Sequence, residues 1–217
     1  MNFSALKKQR CLVLIGKAGA GKDTVADMIL DMRQSPRPRA FRFSEPLKEA
    51  VGTIFGWSPR MLGVLAYKEE KFDKPMKTID GRNLWTRREV LQYIGTDVFR
   101  MMDADVWINA ALRNANSQAN AFDTNGFICT DCRFPNELGA LAKHFSSVYV
   151  VRLVKVGGVQ SEAAAHSSET AIDNLVVHKN YSLDAGDFDG LKAVAHQLNV
   201  FFGEERITAT EVLNRVP

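Results

Sequence analysis

CLVLIGKAGAGKDT, residues 11–24, sets five unbroken apolar residues directly ahead of a nine-residue loop with three glycines and two lysines. An apolar run this short, closed by a glycine, suits a parallel strand buried on both faces. Gly16, Gly21 and Lys22 then match the G-x-x-x-x-G-K core of a phosphate-binding loop. The chemistry explains the residue types. Backbone N–H groups must curl around a phosphate, and side chains would obstruct them, so glycines are used. The next helix, marked by Val25, Met28, Ile29 and Met32 at helical spacing, points its positive end at the same anion. Lys22 adds a compact charge for the β- and γ-phosphates. Strand, loop and helix in this order distinguish the motif from a glycine-rich turn.

Asp23 stands where such loops usually carry a magnesium-binding hydroxyl, and Thr24 follows. Two readings stay open. Asp23 is a hard oxygen ligand for Mg²⁺, directly or through water. Alternatively it favours the helix N-terminus electrostatically while Thr24 bonds a phosphate.

Outward from the loop, strand-like and helical segments alternate. "AFRF" reads as a short strand and "SEPLKEAVGTIFGW" as a helix capped by Ser44 that ends near Gly56. "TRREVLQYIGTDVFRMM" is a strong helical segment, and Asp103 caps another helix through about Asn114, followed by a polar loop, "NANSQANAFDTNG". "FICTD", "SVYVVRLV" and "NLVVHKN" read as further strands. "PNELGALAKHF" and the Phe188–Phe202 stretch read as helices. This pattern predicts an α/β, three-layer P-loop NTPase fold, with a parallel sheet of about five strands covered by helices on both faces. Residues 58–125 interrupt the alternation. They are read as a mostly helical insertion within a single domain, its 58–86 part irregular apart from a turn at "DGRN". The arginines of "RQSPRPRAFR" are read as a solvated loop.

The composition fits this picture. The chain has 217 residues, 46% of them hydrophobic and 24% charged, as expected of a globular protein with a core. A formal net charge of +3 is too mild to imply binding to polymeric nucleic acid and suits anionic small molecules. Three cysteines, Cys11, Cys129 and Cys132, argue for a reducing compartment and ordinary buried thiols, because C-x-x-C here lacks the context of a redox or zinc site. The apolar stretch before Gly16 is too short for a signal-peptide core, and no segment approaches membrane-spanning length. The expectation is a cytoplasmic protein without membrane partners.

Within "RREVLQYIGTDVFRMM", Leu91, Ile94, Val98 and Met101 share one helical face, and Arg88, Gln92, Gly95 or Thr96, and Arg100 share the other. An Arg–Gln–Thr stripe beside a glycine suits an anionic ligand with hydrogen-bonding edges. It also suits a solvated face. In "FICTDCRFPNE", Asp131 ends a strand, where phosphate-loop proteins hold Mg²⁺, and Arg133 follows at the same sheet edge. Glu137 sits in the first turn of the next helix. Arg152 follows "VYVV" and could stabilise a transferred phosphoryl group. Trp107 reads either as a wall of a base pocket or as core, and "HSSET", with His166 and Glu169, as a site segment or a capped turn.

Together these motifs resemble the deoxynucleoside monophosphate kinases of tailed bacteriophages. The resemblance runs collinearly through "GKAGAGKDTVAD", "FSEPLKEA", "RREVLQYIGTDVFRMMDADVWI", "DCRFPNE" and "AHSSE". The family carries Asp within GKDT, so Asp23 is not a departure. The resemblance implies ATP- and Mg²⁺-dependent conversion of deoxynucleoside monophosphates to diphosphates. Gly19, Ala20, Gly21, Lys22, Asp23 and Thr24 would hold ATP, with Asp23 and Asp131 as metal candidates. Ser44, Leu47, Lys48, Arg88, Gln92, Gly95, Thr96, Trp107, Asp131, Arg133, Glu137, His166 and Glu169 would surround the acceptor. Lys22, Arg88, Arg133 and Arg152 would act on the reacting phosphates. The resemblance is compatible with a homodimer. Two rivals share the loop: another small-molecule kinase, such as a dephospho-coenzyme A kinase, and a nucleotide sensor or motor.

Overall fold

The structure, a computed structural model, describes residues 3–33, 35–157 and 175–203. The chain first forms β1 (Arg10–Ile15), α1 (Lys22–Asp31) and β2 (Arg39–Phe41). Then come α2 (Glu45–Phe55), α3 (Leu65–Glu69), β3 (Lys71–Lys77), β4 (Asn83–Thr86) and α4 (Arg87–Gln92). A π-helical stretch, Tyr93–Phe99, leads into α5 (Arg100–Met102) and α6 (Val106–Ala121). The remainder forms β5 (Gly126–Cys129), α7 (Pro135–His144), β6 (Ser147–Val156), β7 (Lys179–Asp184) and α8 (Phe188–Asn199).

Two compact units result. One comprises the described residues of Met1–Arg42 and Leu112–Pro217, the other Phe43–Ala111. The larger unit holds a five-stranded sheet in the order β2-β5-β1-β6-β7, with every pairing parallel. β1 is central because Cys11 to Ile15 are all buried, as a strand covered on both faces requires. Leu12 and Leu14 join Val25 and Ile29 of α1 and Ala195 and Leu198 of α8 in one core cluster. Alternation turns Cys11 and Val13 to the other face. There Phe127, the register partner of Cys11, meets Phe145 at the end of α7 with ring centroids 5.7 Å apart. Helices therefore cover both faces. The chain leaves β1 for β2 on one side and later crosses from β5 to β6 on the other. That reversal marks the carboxyl end of β1 as the ligand-binding crevice of an open α/β sheet.

The smaller unit packs α2, α3 and α4 around Val51, Leu62 and Leu91 and adds the antiparallel β3–β4 hairpin. The hairpin occupies part of the stretch that the sequence reading left irregular. Its β3 residues alternate weakly, with exposed Lys71, Asp73, Lys74 and Lys77, so no apolar period announces it.

Three further features differ from the sequence reading. α6 continues through "NANSQANA", expected as loop, because Ile108, Ala111, Leu112 and Ala115 form a buried stripe at helical spacing. The last strand is Lys179–Asp184 rather than "NLVVHKN", and Val176 is exposed. Met101 was expected beside Leu91 but is 81% exposed against 8% for Leu91. The π turns over Tyr93–Phe99 shift everything after them out of the 3.6-residue phase. Among the described residues no helix is long and apolar enough to cross a membrane.

Candidate active site

The glycine loop is shaped as strongly by its neighbours as by any ligand. A Cβ on Gly16 would lie 2.3 Å from the Leu153 carbonyl oxygen of β6, and one on Gly21 would lie 2.5 Å from Leu191 of α8. Gly19 and Gly21 take φ of 76° and 86°, a left-handed backbone that glycine adopts without strain. Ala20 between them is buried. Lys22 opens α1 and turns its ammonium back over the loop, donating to the carbonyls of Gly16 at 2.7 Å and Lys17 at 3.1 Å. Thr24 lies in the first turn of α1, half-buried.

Asp23 is tied to the sheet. The Thr130 hydroxyl donates to Asp23 Oδ1 at 2.8 Å, and Arg42 Nη2 reaches the same oxygen at 3.2 Å. Burial alone would raise this carboxyl. The Thr130 and Arg42 hydrogen bonds, with the charges of Arg42 and Lys22, hold it below its ordinary range. Three elements meet here, because Arg42 follows β2, Thr130 follows β5 and Asp23 lies in α1. The expectation that the arginines of "RQSPRPRAFR" are merely solvated is corrected. Arg42 pairs with Asp23, Arg39 donates to Gln118 of α6, and Arg33 donates to Asn199 at the end of α8. Sequence alone gave no sign of Thr130 or Arg42, since their partner is remote in the chain.

Gly16, Ala18 and Lys22 line one cleft together with Thr130, Asp131, Cys132 and Arg133. Loop lysine, strand-end aspartate and following arginine thus converge at the carboxyl end of the sheet. Cys129 Sγ donates to Asp131 Oδ1 over 3.7 Å. The Glu137 carboxylate, 4% exposed, accepts the backbone N–H groups of Arg133 at 2.7 Å and Phe134 at 3.0 Å. It shapes the turn that carries Arg133. The three cysteines are buried and unpaired as disulfides, and burial pushes their thiols well up. On the other flank of the loop, Gly19 and Ala20 border a recess formed with Lys155, Leu183, Asp184 and the Ala185–Gly186 turn before α8. The sequence reading did not single out this turn.

Arg152 lies inside β6, paired in register with Ile15, rather than at a strand end, and it donates to the Leu175 carbonyl at 3.2 Å. His166 and Glu169 lie outside the described residues.

In the smaller unit, Ser44 takes the position before α2 without a side-chain cap bond, and its carbonyl accepts from the Lys48 N–H at 3.0 Å. Leu47 explains Gly95: a Cβ there would meet Leu47 Cδ2 at 2.6 Å. The Gly95 carbonyl accepts from Trp107 Nε1 at 2.9 Å, and Trp107 is 9% exposed beside Phe99. Gly95 therefore contacts both Leu47 and Trp107. Thr86 and Glu89 form a capping box that starts α4, which presents Arg88 and Gln92. Arg88 forms an ion pair with Glu69. Gln92 and Thr96 are half-buried.

No family model matches the chain. It is 25% identical to the deoxynucleoside-5'-monophosphate kinase of Escherichia phage T5, the match covering 57% of this chain and 68% of that protein. Among solved structures, a sugar kinase from Janibacter gives a TM-score of 0.42 at 15% identity, covering 86% of this chain and 92% of that one. A Thermus thermophilus protein gives a TM-score of 0.46 at 13% identity, covering 91% of this chain and 100% of that one. With its glycine loop at the centre of a five-stranded parallel sheet, the chain is a P-loop protein similar to the deoxynucleoside-5'-monophosphate kinase of phage T5.

Proposed function

We propose that the protein transfers the γ-phosphoryl group of ATP to deoxynucleoside monophosphates, giving deoxynucleoside diphosphates and ADP. The observation that carries this reading is the cleft that Lys22 and its loop share with Asp131 and Arg133. The likeness to the phage T5 enzyme supports a P-loop kinase and suggests the acceptor class.

The residues fit the donor. The loop is a backbone cradle bent by the left-handed Gly19 and Gly21, and Lys22 folds back over it, so Gly19, Ala20, Gly21, Lys22 and Thr24 would hold the phosphates. The recess beside the Ala185–Gly186 turn would take the base. Mg²⁺, when bound with ATP, would neutralise the β- and γ-phosphate oxygens. Magnesium needs only one or two carboxylates besides substrate oxygens. Asp131, which lines the cleft with Lys22, and Asp23, in the first turn of α1, are the carboxylates that would hold it.

An acceptor phosphate oxygen would attack the γ-phosphorus in line, and the bond to the bridging oxygen of ADP would break. Arg133 and Arg88 would orient the acceptor phosphate and offset charge developing on the transferred group. Glu137 would act through the turn that carries Arg133, and Gln92 and Thr96 would meet the acceptor's hydrogen-bonding edge. Ser44 and Lys48 would stand close by. Leu47, Gly95 and Trp107 would form the packed support beneath them. Arg152 would join only by leaving the Leu175 carbonyl.

The direct test is to incubate the protein with ATP, Mg²⁺ and each deoxynucleoside monophosphate in turn and to follow ADP. Turnover with at least one is expected. No turnover with any of them removes the reading.

A further inference from the structure

Two adjacent arginines open α4, and two adjacent glutamates close α3 and the residue after it. They pair in parallel, Arg87 with Glu70 and Arg88 with Glu69, but the two pairs are built differently. Arg87 is anchored several times over. Its guanidinium lies 3.9 Å above the Tyr67 ring, donates to the Tyr67 carbonyl at 3.1 Å and bonds Glu70 at 2.7 Å. The Arg88 side chain is almost as enclosed, at 18% exposure, yet among the described residues its recorded anchor is the Glu69 carboxylate, itself 42% exposed. An arginine enclosed by protein and answered by one carboxylate at the surface is arranged to exchange that carboxylate for another anion, because a guanidinium accepts carboxylate and phosphate in the same forked geometry.

We infer that Glu69 is a positioning residue that holds Arg88 in the place of the acceptor phosphate and is displaced by it. The inference rests on the acceptor role proposed above for Arg88. The carboxylate does two opposed things. It keeps the arginine extended and ordered, which lowers the entropy lost on binding. It also makes each acceptor compete with an internal anion, so a ligand must bring at least comparable charge. A phosphate monoester, with a charge of about −1.5 to −2 at neutral pH, displaces a carboxylate. An uncharged nucleoside does not. Glu69 thereby tempers the affinity for phosphorylated acceptors and leaves the binding of uncharged deoxynucleosides untouched.

The test compares wild type, Glu69→Gln, Arg88→Ala and the double variant. Binding of deoxynucleoside monophosphates and of the matching deoxynucleosides is measured by calorimetry, and steady-state kinetics are followed in parallel. Glu69→Gln should tighten monophosphate binding about two- to fivefold, the range open to a partly exposed ion pair. It should lower the acceptor KM by a similar factor and leave the ATP KM and deoxynucleoside binding unchanged. The gain should vanish in the Arg88→Ala background. A merely structural Glu69 would give the opposite sign, with weaker binding in Glu69→Gln, and that result or an unchanged affinity overturns the inference. A gain that persists without Arg88 overturns it too. If Arg88→Ala binds monophosphates as well as wild type does, the acceptor role of Arg88 fails instead.

Discussion

The hydroxyl of Thr130, just past β5, donates to Asp23 Oδ1 in the first turn of α1 over 2.8 Å. Arg42 completes the arrangement from the end of β2. Asp23 therefore fastens the phosphate-loop helix to two strand ends. Its carboxyl is depressed even though burial pushes the other way.

The pH dependence follows. A depressed carboxyl contributes stability that is fully present above its unfolded-state value, 3.8 here, and that is lost as pH falls through the lower folded value. Asp23→Asn should be less stable than wild type at pH 7, by no more than ~1 kcal/mol because the side chain is 66% exposed. The gap should narrow as pH is lowered from about 4. Urea unfolding of both proteins across that range checks it, and a gap that widens in acid contradicts the arrangement.

Lys22→Ala should cut transfer steeply while leaving the fold intact. Its ammonium rests on carbonyls of its own loop, so the substitution acts first on the loop. A charge-assisted hydrogen bond contributes about 1.5–3 kcal/mol, which sets the loss in rate at about tenfold to a hundredfold or more. Single-turnover kinetics beside a thermal melt separate the two effects. Unaltered turnover would place the donor phosphates elsewhere.

Arg133→Ala should chiefly damage acceptor use. The Arg133 backbone N–H is bound to Glu137 and survives the substitution, so the turn keeps its shape. The expected result is a kcat/KM for the monophosphate lower by about tenfold or more, with the ATP KM near wild type. Wild-type acceptor kinetics would mean that the site is misplaced.

These expectations come from a part of the chain that sequence reads well. The loop, its strand and its helix were legible because backbone conformation there is dictated by glycines within six residues of one another, and Asp131 and Arg133 because a short apolar strand ends beside them. The Asp23–Arg42–Thr130 contact was not legible, because its members are separated by 19 and 107 positions and no local pattern links them. The π stretch was hidden for another reason. "YIGTDVF" keeps an α-helical apolar period, while the packing of Leu47 against Gly95 and the indole bond to the Gly95 carbonyl accompany the wider turn. Trp107 illustrates the ambiguity of aromatics: the same residue reads as a pocket wall or as core until its N–H partner is known.

Arg87→Lys tests whether the smaller unit is held by shape as well as by charge. Arg87 stands over Tyr67 at 3.9 Å, and its guanidinium lies 5.4 Å and 5.5 Å from the rings of Trp57 and Phe72, which stack on each other. Lysine keeps the charge and so keeps the attraction to Glu70. It loses the flat guanidinium surface that lies against the Tyr67 ring. The enclosed site makes that loss larger than at an open surface, on the order of 1–2 kcal/mol. The midpoint of urea unfolding should fall accordingly, with an unchanged slope. Because Arg87 fixes the start of α4 directly before Arg88, the acceptor KM should rise in the same variant while the ATP KM holds. If Arg87→Lys unfolds at the wild-type midpoint, charge alone fastens α3 to α4, and the rings around Arg87 contribute packing without orienting it.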